Sequence, residues 1–255
     1  CLKFYANFCA KNTENSMEIV DRFFVKGDIG FRLLCCPWTE TIGIWMINCF
    51  KRKKDVIEML SKEQIASVME ALVINWSQCP IQGDVFELFA KYLDWPFFLS
   101  QKLQEVHFRD LLEILELCEL NRYNSHLLDQ CFLKLSSEKD PQKVAFYLHV
   151  MSKIEIGWDK VEFKIEILKS IFVSSFEKKY DPSLCYQSLI LSIFTNVSYN
   201  CSETANQIVK SELIPLILLC TSISNLVPLR RETAVFLIKV LSLQVKDFDK
   251  ILKEA

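Results

Sequence analysis

Tyr5-Ala6-Asn7-Phe8, Met46-Ile47-Asn48-Cys49 and Phe194-Thr195-Asn196-Val197 each set an Asn after apolar residues, late in an amphipathic stretch. Asn7 and Asn48 lie 41 residues apart, and Asn196 follows Asn48 by 148, roughly three and a half such intervals. Apolar helices that recur every 40–47 residues or so with little punctuation build a helical solenoid. The expected fold class is therefore all-α: a right-handed α-solenoid of about six stacked repeats, running through residues 1–255 as a single domain.

Composition agrees with helices. Hydrophobic residues make up 51% of the 255, with only 5 Gly and 7 Pro. Turn chemistry is too scarce for a sandwich or barrel. The mean hydropathy of +0.16 suits helices buried on several sides. A net charge of −2 gives no electrostatic case for nucleic acid or an anionic membrane. The 11 cysteines are scattered, with no Cys-x-x-Cys, which points to reduced thiols in the nucleus and cytoplasm. Pro182 to Ser202 lacks charge, but its Ser, Gln and Asn side chains are expensive in lipid, so no membrane span is expected. The chain opens at Cys1 inside a helical pattern, as expected of a fragment of a longer protein.

Local signals place the helices. Ser61 with Gln64 reads as a capping box, Thr39 and Asp84 as further caps, and Asp140-Pro141 as the start of a helix to about Ile154. Gly157 ends that helix, and Asp159 caps a long one through Phe176. Helices are then expected over about 183–199, 203–210, 212–222 and 229–244, with a polar tail that frays from Lys246.

Leu191 to Ser198, Ser202 to Val209 and Leu213-Ile214-Pro215-Leu216-Ile217 together resemble the armadillo repeat, or its HEAT-like relatives. Ile44 to Cys49 followed by Lys51-Arg52-Lys53-Lys54 resembles a repeat of importin-α, the nuclear-import adaptor. The resemblance implies a groove in which Asn side chains hydrogen-bond the main chain of an extended peptide, while Trp faces cover its basic side chains. It implies a peptide-binding role for Asn7, Asn48, Asn196 and Trp45. The Trp half is out of register: Lys3, Ile44 and Ser192 stand four before each Asn, and Trp45 is one residue off, a rotation of about 100°.

Each of these residues also has a plainer reading. The Asn side chains can brace neighbouring helices, and Trp45 can pack in the core. Lys51, Arg52, Lys53 and Lys54 form a basic patch that reads either as a localisation signal or as a solvated helix end. No metal-ligand spacing, phosphate-cradling glycine loop or nucleophile motif occurs, so no enzyme, cofactor, metal or small-molecule substrate is expected. The expected function is that of an adaptor binding a protein or extended peptide in nuclear import, with a transport receptor as one partner. The alternative is a scaffold subunit permanently embedded in a larger complex. A nucleic-acid-binding helical module ranks third.

Overall fold

The computed structural model describes residues 2–10, 12–27, 29–34, 40–51, 53–76, 80–158, 162–177, 181–222 and 229–254. Among these the chain is all-helical, without a strand. It divides into two compact units, Cys1–Leu120 and Asn121–Ala255, where the sequence reads as one continuous domain.

The first unit holds α1 (Leu2–Cys9), α2 (Thr13–Val20), α3 (Ile29–Leu34), α4 (Glu40–Phe50), α5 (Lys54–Ile57), α6 (Lys62–Ile74), α7 (Pro80–Ala90), α8 (Trp95–Phe97) and α9 (Phe108–Leu117). Here α1 packs on α4 and α4 on α7, while α6 packs on α3, α7 and α9. An aromatic ladder runs through the core. The Phe24 ring meets Phe50 edge-on at 5.8 Å, and Phe50 meets Phe89 at 5.0 Å. Such pairs add to the area that their burial removes from water.

The second unit holds α10 (Asn124–Leu135), α11 (Pro141–Lys153), α12 (Ile165–Ser174), α13 (Tyr186–Asn200), α14 (Ser202–Lys210), α15 (Ile214–Leu219), α16 (Arg230–Gln244) and α17 (Phe248–Glu254). Helix α11 packs on α13, and α13 packs on α16. Phe172, Phe194, Phe163, Trp158 and Phe132 join edge to face behind them.

Side-chain chemistry sets the helix starts. Ser61 Oγ accepts from the Gln64 amide at 3.2 Å, and Gln64 Oε1 accepts from the Ser61 amide at 2.9 Å, closing the expected capping box. Asp140 caps α11 with Pro141 in its first turn. With few glycines available, several turns after helices are made by other residues in the left-handed region. After α9, Glu119 has φ 56°, with the Leu120 amide donating to Leu115 O at 2.7 Å and Glu119 to Glu116 O at 3.0 Å. That is a Schellman closure without its usual glycine.

Three helix expectations need correction. Asp84 lies inside α7, because the helix opens a turn earlier at Pro80, whose missing N–H costs nothing in a first turn. The tail does not fray: α17 forms there and buries Phe248. Helix α12 spans Ile165–Ser174, shorter than the stretch expected up to Phe176. The caps assigned to Thr39 and Asp159 lie outside the described residues.

Candidate functional site

Two of the three Asn side chains, those of Asn48 and Asn196, are spent on helix ends. A helix leaves its last carbonyls without intrahelical donors, and these must find partners elsewhere. Asn48 on α4 donates its amide Nδ2 to Ala6 O, near the end of α1, at 3.0 Å. Asn196 on α13 donates Nδ2 to Ser152 O at 3.1 Å and Ile154 O at 3.0 Å, at the end of α11. In each case the amide reaches back over 42 or 44 residues. Tyr186 Oη to Pro141 O (45 residues), Arg230 Nη1 to Gln187 Oε1 (43) and Gln64 Nε2 to Phe24 O (40) share that span. Asn7 stands exposed on α1.

Trp45 is fully buried, stacked on Phe24 at 5.8 Å and 14° and tilted against Phe23. It offers no face to a ligand. The reading of Trp45 as a peptide platform is corrected on that ground: the rotation that takes it out of register also takes it into the core.

Of the basic patch, Lys51 and Lys53 are placed differently. Lys51 is exposed, Arg52 lies outside the described residues, and so does the side chain of Lys54. Lys53 turns inward. Its ammonium donates to Cys9 O at 2.6 Å, to Ser16 Oγ at 2.6 Å and to Asn48 O. It thus caps the C-terminal ends of α1 and α4 with positive charge, where the helix dipole favours it. Burial holds its pKa below the usual lysine value, opposed by the nearby Cys9 and Cys49 thiols.

An open groove of about 420 Å³ lies along α11, α13 and α16 in the second unit. Ser192 and Asn196 line it from α13, Glu232, Thr233 and Phe236 from α16, and Ser152, Lys153 and Glu155 from the end of α11. Phe236 is 53% exposed there. Asn196 therefore borders the groove while bracing its wall. The sequence reading missed Glu232 and Phe236. A signal was present: Ala234-Val235-Phe236-Leu237-Ile238 is five consecutive apolar residues, which span a full helical circle and cannot all face one core.

Among the described residues no group of three or more His, Cys, Asp or Glu is placed to hold a metal ion, and no helix is long and apolar enough to cross a membrane. These features define an all-helical protein in which helices are tied by side-chain hydrogen bonds that span 40–45 residues of sequence. Residues 186–254, from α13 to α17, match a family model described as the Spinocerebellar ataxia type 10 protein domain. The matched segment carries Asn196, Glu232 and Phe236 and covers just over a quarter of the chain. No curated protein and no solved structure matches. The match replaces the armadillo and importin-α assignment: the phrases around Asn196 that carried that resemblance fall within a segment whose matching family is a different one.

Proposed function

We propose that the chain is a non-enzymatic protein-interaction module built from helical repeats, which holds an extended segment of a partner protein in the groove along α11, α13 and α16. The repeat architecture is supported by the side-chain hydrogen bonds that span 40–45 residues in both units. The groove itself carries the functional reading: the half-exposed ring of Phe236 shares its lining with Glu232 on α16, Lys153 at the end of α11 and Glu155 just beyond it. Phe236 would take an apolar side chain, and the exposed Glu232 carboxylate on the same helix favours a basic neighbour. Nuclear import rested on the importin-α resemblance alone and is not carried forward.

Panning a random peptide library against the purified chain tests the groove. Enriched peptides should pair an apolar with a basic residue, lose binding to Phe236→Asp and weaken at higher salt. Binding that survives both Phe236→Asp and Glu232→Lys would refute the groove as the site.

Exposed Leu243, Leu229, Tyr199 and Val235 favour a second reading, a subunit embedded in a larger assembly. Self-association of the isolated chain in light scattering would support it, and a monomer at high concentration would count against it.

A further inference from the structure

Cys9 on α1 and Cys49 on α4 meet with their sulfurs 3.5 Å apart, 40 residues apart in sequence. Both are fully buried. We propose that Cys9 and Cys49 are an oxidisable thiol pair that closes to a disulfide between α1 and α4, with Cys9 as the attacking sulfur and Cys49 as the resolving one.

The geometry is close to that of a bond. The two sulfurs are in van der Waals contact and need to approach by roughly 1.5 Å to reach disulfide length. The surroundings make the pair unequal. The hydrogen bond from the Cys49 thiol, with the Ser16 hydroxyl and the Lys53 ammonium, holds Cys9 below the usual thiol range against the opposing effect of burial. Cys49 is pushed the other way by its hydrogen bond to Cys9 and by burial. Lys53 is anchored for this task, since its ammonium already bonds Cys9 O and Ser16 Oγ. Access comes through α1. It is one short helix of 8 residues whose outer side, with Phe4, Asn7 and Phe8, is exposed, so local opening of α1 admits a small oxidant.

Hydrogen peroxide supplies the oxidising equivalents. The Cys9 thiolate attacks one peroxide oxygen, the O–O bond breaks, and hydroxide leaves to take up the Cys9 proton as water. Cys9 is then a sulfenic acid. The Cys49 sulfur attacks the Cys9 sulfur, the S–O bond breaks, and the leaving hydroxide takes the Cys49 proton as a second water. Two thiols and one peroxide become one disulfide and two waters.

Differential alkylation tests this in the unmodified chain. The protein is titrated with hydrogen peroxide, unfolded with light iodoacetamide, reduced, and labelled with heavy iodoacetamide before peptide mass spectrometry. Cys9 and Cys49 should acquire the heavy label together, at peroxide doses that leave Cys118, Cys131 and Cys220 light. A linked Cys9–Cys49 peptide should be present before reduction and absent after dithiothreitol. The oxidised chain should melt roughly 5 °C higher, since a closed loop restrains the unfolded chain. In Cys49→Ala, Cys9 should accumulate a dimedone-reactive sulfenic acid that the unmodified chain does not. Light label on both residues when other thiols are already oxidised, or Cys9 linked to a different cysteine, would overturn the assignment, whether or not the variant folds.

Discussion

The carbonyl of Ile154 accepts two side-chain donors, Asn196 Nδ2 at 3.0 Å and Trp158 Nε1 at 2.8 Å. One comes from α13 and one from the loop that follows α11, so the buried end of α11 is closed from both directions. The same logic holds at α1, where Asn48 and Lys53 serve Ala6 and Cys9.

Asn48→Ala and Asn196→Ala should therefore destabilise the chain, each by about 1–2 kcal/mol, because each leaves a helix-end carbonyl without its donor. Urea unfolding followed by circular dichroism measures this. A peptide-contacting Asn that carried no structural load would leave the midpoint unchanged.

Lysines only two residues apart should behave differently. Lys53→Met removes the shared cap of α1 and α4 and should cost about 2 kcal/mol, while exposed Lys51→Ala should stay within about 0.5 kcal/mol of the parent. Equal effects in thermal melts would contradict the inward placement of Lys53.

The tryptophans separate by their N–H groups. The Trp45 indole nitrogen is buried with no hydrogen-bond partner among the described residues, whereas Trp158 donates to Ile154 O. Trp158→Phe should cost about 1 kcal/mol more than Trp45→Phe, since only the former loses a hydrogen bond, the one to Ile154 O that Asn196 then serves alone, while the latter removes an unpaired donor. Paired chemical denaturation curves would show the gap.

At Glu119, glycine should be an improvement. The residue holds φ 56°, where a side chain is strained, so Glu119→Gly should stabilise by about 1 kcal/mol, read as a higher melting temperature.

Alkaline pH should weaken the second unit. Burial pushes the Cys220 thiol up to about 11 and the Tyr186 phenol up to about 12. The unfolded chain loses these protons first, near the ordinary values of 9.0 and 10.0. Both groups therefore contribute stability that is present below those values and lost as pH rises through the folded ones. Between pH 9 and 11 the loss from Cys220 should reach roughly 2 kcal/mol, and Cys220→Ala should flatten that limb of the stability profile.

Local order was readable in advance where a polar cap and its partner stand together in sequence. Ser61 with Gln64 and Asp140 with Pro141 start their helices as written. The phase of the Asn residues was also readable, and Asn48 and Asn196 do perform one task. Which task was not, because an amide donates equally well to a peptide or to a neighbouring helix. The deciding fact is a free carbonyl on α1 or α11, which exists only once the helices stack. Trp45 fails for a related reason: its stacking partner Phe24 is 21 residues away, and no local pattern records that meeting. The groove was hidden because Lys153, Asn196 and Phe236 come from three helices whose adjacency is set by packing.

The carbonyl ends of α1 and α11 are completed by donors that arrive later in the chain. At these two helices the dependence runs one way, from the earlier helix to a later donor. During synthesis an emerging helix would stay incompletely satisfied until about forty more residues had followed it. Shortening a unit from its C-terminal side would thus unsettle helices well upstream of the cut, while their own sequence stayed intact.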